Sequence, residues 1–101
     1  WMTYLLNKDE TVVEDFARFG LNVMGIQDQG DDMANAKAGI VALQSFIKDE
    51  LHLPTSLSEV GINDEKFDEL KVKACYGQDA LSRAYRSLSQ EDCLNIYKMC
   101  L

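Results

Sequence analysis

The chain has 101 residues, which is enough for one domain with a modest hydrophobic core. Hydrophobic residues make up 47% of it and charged residues 27%, as in an ordinary globular protein. The formal net charge of −7 argues against binding of nucleic acid or of an anionic membrane, because both surfaces attract clustered Lys and Arg.

Helix signals begin near the start of the chain. Residues 1–6 read as the tail end of an element. Asp9 or Thr11 can cap the next helix, and Gly25 is expected to end it because glycine adopts a left-handed φ without steric cost. The apolar stripe of this helix is Val12, Val13, Phe16, Phe19 and Val23.

A second helix is predicted after a polar loop. Asp31 or Asp32 can cap it, and it should stop before Pro54, since the residue preceding a proline is pushed out of the α region. Small residues between positions 34 and 42 predict a close approach by another helix or by an absent part of the protein. The apolar positions are Ala36, Ile40, Leu43, Ile47 and Leu51, with Phe46 beside them.

Residues 55–61 are predicted to form a short turn in which Leu57 and Val60 point inward. Asn63 is expected to cap a third helix that fades near Gly77 and holds Phe67, Leu70 and Ala74. Residues 77–87 show no period and can be a loop or a short helix.

The last helix starts from a capping box. Ser89 and Asp92 stand three residues apart, and Leu88 just before them is placed to pack against Cys93. The helix then runs through Leu94, Ile96, Tyr97 and Leu101. No strand-like alternation persists, so the sequence predicts an all-α protein, a small bundle of about four helices.

The cysteines and the ends of the chain indicate its setting. Cys75, Cys93 and Cys100 are odd in number and form no CxxC pair, so we expect reduced thiols that serve as small core residues in a cytoplasmic protein. No apolar run nears the ~20 residues of a membrane span, and no signal peptide is recognisable. The apolar start at Trp1 is typical of a piece cut from a larger helical domain, with a processed or trimmed chain as the alternative.

Few residues point to chemistry. His52 is the only histidine, so a metal site built on several imidazoles cannot be assembled within the chain, and no Ser-His-Asp or Cys-His set can be argued. His52 is expected near the negative end of a helix dipole. Asp28, Asp31 and Asp32 surround Gly30 like a calcium loop, but the twelfth position is Gly39 instead of Glu, so we predict helix capping.

Two surface features have competing interpretations. The acidic face of the third helix, with Asp64, Glu65, Asp68 and Glu69, is predicted to be solvated, with a docking patch as the alternative. In the irregular stretch, Tyr85 and Arg86 are either packing and surface residues or ligand contacts.

Five segments resemble, in order, the C-terminal region of iron-containing alcohol dehydrogenases of the butanol dehydrogenase branch. The most specific is residues 51–62, and within it the sequence LPTSLSEVGI carries the match. The others are Trp1-Met2, residues 16–26, Ala38-Gly39-Ile40 with Leu43, Phe46 and Ile47, and residues 88–92 with Ile96-Tyr97-Lys98. His52 stands where the family often has Gly.

The resemblance implies a parent enzyme that passes hydride between NAD(P) and a primary alcohol or aldehyde at a bound iron or zinc. Its N-terminal dinucleotide-binding domain and metal-bearing helices would be the partners of this chain. The family's metal ligands precede the point where the chain begins, so no residue here is assigned a catalytic, cofactor-binding or metal-ligating role. Tyr85 and Arg86 fall in the loop that can approach the family's active-site cleft.

Three hypotheses therefore stand. The chain is a structural, inactive fragment of such a dehydrogenase, or a freestanding acidic helical module that binds another protein, or a structural helical protein whose likeness to the enzyme is accidental. The first predicts exposed apolar surface and self-association. The second predicts a monomer without such a patch.

Overall fold

The computed structural model describes residues 1–101, which divide into two compact units, Trp1–Thr55 and Ser56–Leu101. Helices dominate both units, as predicted, but they number five, and a short pair of strands accompanies them. The helices are α1 (Met2–Lys8), α2 (Val13–Arg18), α3 (Asp32–Ser45), α4 (Phe67–Ala74) and α5 (Gln90–Met99), and the strands are β1 (Ala80–Leu81) and β2 (Leu88–Ser89).

Helix α1 is a separate helix of seven residues. It was predicted as the tail end of an element, and that prediction was wrong. Its Leu5 and Leu6 are buried, and the Trp1 ring lies 6.0 Å from that of Phe16 in α2. The Asp9 carboxylate accepts a hydrogen bond from the Thr11 N–H at 2.9 Å and so caps the 3₁₀ turn that leads into α2, as one of the two predicted caps.

Helices α2 and α3 of the first unit each continue into a π turn. α2 widens into a π turn over Phe19–Val23 and ends at left-handed Gly25, and α3 widens over Phe46–Glu50. A π turn holds an extra residue, so the face presented after it is displaced from the 3.6-residue period. Val23, predicted on the buried stripe, is accordingly 70% exposed.

Gly20 in the extension of α2 and Gly39 in α3 bring two helix backbones into close contact. A Cβ added to Gly39 would lie 2.6 Å from the Gly20 Cα, and one added to Gly20 would lie 2.7 Å from the Asn35 carbonyl oxygen. Neither distance leaves room for a methyl group. The small residues of α3 therefore admit another helix, as predicted, and that helix is the extension of α2.

The second unit opens with a 3₁₀ turn over Ser58–Val60. The Leu57 N–H donates to the Cys100 carbonyl and the Ser58 hydroxyl to the Leu101 carbonyl, both at 2.7 Å, which ties this turn to the far end of α5. Val60 was predicted to point inward and is instead exposed. The prediction was wrong because Leu57 makes the anchoring backbone hydrogen bonds: its N–H donates to Cys100, and its carbonyl accepts from the N–H groups of Val60 and Ile62.

α4 begins at Phe67, four residues after its predicted cap. The Asn63 side chain accepts from the Glu65 N–H at 3.1 Å and so forms a local turn of its own instead of capping the helix. Phe67 is buried, as predicted, and its ring lies 5.6 Å from that of Tyr97 in α5.

The capping box of α5 is confirmed. The Asp92 N–H donates to the Ser89 hydroxyl at 3.1 Å, and the Ser89 N–H donates back to the Asp92 carboxylate at 2.9 Å. Leu88 and Cys93 on either side of it are both buried. No helix of the chain has the length and apolar character needed to cross a membrane.

Replacing Gly39 by Ala should destabilise the protein. Alanine is favoured over glycine by about 1 kcal/mol inside a helix, but the clash with Gly20 should outweigh this gain and leave a net loss of about 1–3 kcal/mol. Urea denaturation of Gly39→Ala beside Lys37→Ala, an exposed change in the same helix expected to stay within about 0.5 kcal/mol, measures the difference. A stabilised Gly39→Ala protein would show that the helices are not in contact here.

Candidate functional site

The segment between α4 and α5 is organised by a short hairpin that the sequence did not reveal. β1 and β2 pair antiparallel, Ala80 with Ser89 and Leu81 with Leu88. The Gln90 side chain donates to the Gln78 carbonyl at 2.8 Å, and the Gln90 N–H donates to the Asp79 carbonyl at 3.1 Å. Strands of two residues are too short to show alternation, which is why 77–87 had no readable period.

An open cavity of about 610 Å³ lies against this hairpin. Arg83 is the only charged side chain on its wall, and Tyr76, the first residue past the α4 C-cap, is 85% exposed beside it with φ at 55°. The lining residues are Cys75, Tyr76, Gln78, Ala80, Leu81, Ser82, Arg83 and Ala84. Arg83 had not been predicted as a site residue, and no sequence signal distinguishes it from other loop arginines.

Tyr85 and Arg86, the predicted cleft-facing residues, contact each other. The Arg86 guanidinium lies 4.2 Å from the centre of the Tyr85 ring, and one of its nitrogens donates to the Tyr85 carbonyl at 3.1 Å. Neither residue lines the cavity. A ligand contact by Tyr85 or Arg86 therefore stays a prediction. The residue of this loop that does line the cavity with a charged side chain is Arg83, two to three residues earlier in the chain.

Two thiols meet beneath the hairpin. The Sγ atoms of Cys75 and Cys93 lie 3.8 Å apart, and the Cys75 thiol also approaches the Leu88 carbonyl at 3.9 Å. Burial, followed by the contact with Cys75, raises the pKa of Cys93 to about 11. The prediction that these cysteines serve as small core residues is confirmed, while Cys100 is only half-buried.

The acidic loop before α3 is built for capping. Asp31 accepts from the Ala34 N–H at 2.9 Å and is the N-cap of α3, as predicted. Asp28 accepts from the Asn35 amide at 3.0 Å and from the Gly30 N–H at 2.9 Å, and these two bonds lower its pKa below the usual value. Sequence analysis missed Asn35, a buried amide that also accepts from the Gln29 N–H.

The acidic face of α4 is partly neutralised by its own lysines. Lys71 pairs with Asp68 at 2.9 Å and Lys73 with Glu69 at 2.6 Å. The hydrogen bond and charge of each lysine hold the pKa of its partner carboxyl below the usual range. Pairs at this spacing are typical of a solvated helix face.

No set of three or more His, Cys, Asp or Glu side chains comes together in a way that could hold a metal ion. Cys75 with Cys93 supplies two sulfur donors, and the carboxylates of the acidic loop are engaged with backbone and amide groups. The reactive side chains that lie together are therefore the thiols of Cys75 and Cys93, and the cavity borders Cys75.

His52 occupies a left-handed position, with φ at 55°, directly after the C-cap of the α3 extension. The Leu53 N–H that follows donates back to the Ile47 carbonyl at 3.1 Å and closes the helix end. This place suits glycine, because a Cβ costs free energy at a positive φ. The resemblance had placed Gly here, and the backbone supplies the physical reason.

His52→Gly should stabilise the protein by up to about 1 kcal/mol, since it removes the left-handed strain. His52→Ala keeps a Cβ and should leave the free energy of unfolding nearly unchanged. Urea midpoints with equal slopes give the comparison. An equal gain in both variants would assign the effect to the imidazole instead of the backbone, and a loss in His52→Gly would show that the imidazole stabilises the helix end.

Comparison with known proteins gives two relatives, both from Clostridium acetobutylicum. NADH-dependent butanol dehydrogenase A is 31% identical and NADH-dependent butanol dehydrogenase B is 30% identical, each over 98 residues, or 97% of this chain. The chain spans 24% of the first relative and 25% of the second. No family model and no solved structure matches. The resemblance seen in the motifs is confirmed, and the chain is similar, along nearly its whole length, to a segment of the butanol dehydrogenases.

Proposed function

We propose that this chain is the C-terminal helical part of an NAD(P)-dependent alcohol dehydrogenase acting on primary alcohols and aldehydes, and that its own role is structural. One observation carries the proposal: 97% of the chain aligns with two proteins named as NADH-dependent butanol dehydrogenases, of which it spans about a quarter. Its N-terminal partners would then be a dinucleotide-binding domain and the metal-bearing helices.

The donor groups of the chain support a structural role. The family resemblance implies iron or zinc, but one histidine and no cluster of three ligating side chains do not fit such a metal. Under this proposal the metal and the nicotinamide are bound by the remainder of the enzyme. The nicotinamide carries the hydride, and no residue here is given a step in that reaction.

Exposed apolar side chains on α3 support the assignment of a large protein partner. Val41 is 62% exposed, and Met33 on the same helix and Phe46 on its extension are also exposed. Exposed apolar side chains on a helix that already packs against α2 are typical of a surface covered by further protein. They would also drive self-association of the chain alone.

The alternative of an acidic interaction module has less support. Two of the four acids that motivated it are paired with Lys71 and Lys73, so the face carries less uncompensated charge than its composition indicated.

We also propose a cytoplasmic enzyme, since all three cysteines are free thiols.

The native protein that carries this chain should be about four times its 11.4 kDa, given the share of each relative that the chain spans. Mass spectrometry of the protein purified from its source gives this value, and the same sample should reduce NAD(P) when butanol is added. A product of 11.4 kDa, or a longer one that stays inactive with either nucleotide after iron or zinc is supplied, would refute the proposal.

Val41→Glu should separate the covered from the uncovered state of α3. In the 101-residue chain it should weaken self-association in sedimentation experiments and leave the helix content intact. In the longer enzyme it should lower the melting temperature, because it buries a charge. Gln27→Glu, the same charge added in the exposed loop before α3, is the control. Equal effects of the two variants in both proteins would show that no partner covers Val41.

A further inference from the structure

Cys75 and Cys93 are placed to react with each other. Cys75 follows the last residue of α4, and Cys93 lies in the first turn of α5, so two cysteines that are 18 residues apart in sequence join these helices. Their sulfurs are 3.8 Å apart, and both side chains are almost completely buried, at 1% and 6% exposure. Cys100, the third thiol, is not part of this contact.

The open cavity beside the hairpin borders one residue of the pair. Cys75 is among the residues that line it, and Cys93 is not. Because the Cys75 side chain is only 1% exposed, a small molecule in the cavity reaches its sulfur after local opening of the wall. The Cys93 sulfur contacts that of Cys75 and does not line the cavity.

We propose that Cys75 and Cys93 form a peroxide-oxidisable dithiol in which Cys75 reacts first and Cys93 resolves it into a disulfide. The Cys75 sulfur attacks one oxygen of hydrogen peroxide, the O–O bond breaks, and a sulfenic acid and one water are formed. The Cys93 sulfur then displaces the sulfenic oxygen, which leaves as a second water with the Cys93 proton. Two thiols are oxidised and one peroxide is reduced.

The local backbone allows the remaining approach. A disulfide requires an S–S distance of about 2.05 Å, so the sulfurs must move closer by somewhat less than 2 Å. Cys75 is at the C-cap of α4 and is followed by two left-handed residues, Tyr76 and Gly77, so its backbone is not held on both sides by a helix. Cys93 is fixed within α5 and offers a stationary partner.

The bond would enclose the hairpin. Residues 76–92 would become a closed loop whose ends are joined covalently at the base of β1 and β2. The inference does not depend on the parent enzyme, because every group it uses belongs to residues 75–93.

The test is a hydrogen peroxide titration of the folded protein that carries this chain, followed by alkylation of free thiols after denaturation and mass analysis of the digested peptides from residues 1–101. Wild type should lose two of its three free thiols and become lighter by two hydrogen atoms, with Cys75 linked to Cys93. Cys100→Ser, which keeps the pair intact and does not alter the buried core, should form the same link. Cys75→Ala should retain Cys93 as a free thiol.

Other outcomes would overturn the proposal. These are links that include Cys100, links only between chains, oxidation of Cys75 to sulfinic acid without a bond to Cys93, or three thiols that stay free. A link that forms only when the peroxide is added in denaturant would also overturn it, since the native contact would then have no part in the reaction. The Cys100→Ser result decides the matter even if Cys75→Ala does not fold.

Discussion

The contact between Gly20 and Gly39 sets the geometry of the first unit. Backbone meets backbone there with no room for a single methyl group, so the extension of α2 and the middle of α3 are held at a fixed separation. The Asn35 carbonyl lies at the same crossing, and its side chain holds the loop that connects the two helices. One close approach thus determines both the packing of two helices and the path of the chain between them.

The second unit depends on hydrogen bonds between segments that are distant in sequence. Leu57 and Ser58 bind the carbonyls of residues 100 and 101, and Gln90 binds that of Gln78. The rings of Phe67 in α4 and Tyr97 in α5 pack against each other, with their centres 5.6 Å apart. Partial burial, the largest cause, and the nearby thiols Cys93, Cys75 and Cys100 raise the pKa of Tyr97.

Helix caps formed by neighbouring residues could be predicted from the sequence. Contacts between segments that are distant in sequence could not. Asp9, Asp31 and the Ser89–Asp92 box were predicted as caps because each bonds within three residues of itself. Leu51 and Val23 were placed on buried stripes and are exposed, since a 3.6-residue period fails beyond a π turn. The cavity and the sulfur contact required two segments to meet, and neither segment shows that meeting in its own sequence.

The hairpin determines where this part of the chain can accept an insertion during evolution. β1 and β2 are joined at their base and tied to α5 by Gln90, while the residues between them, 82–87, leave and return at nearly the same point. Lengthening a loop whose ends are already together adds little closure entropy. Residues 82–87 are therefore a natural insertion point, where new sequence can be accepted while α4 and α5 keep their packing.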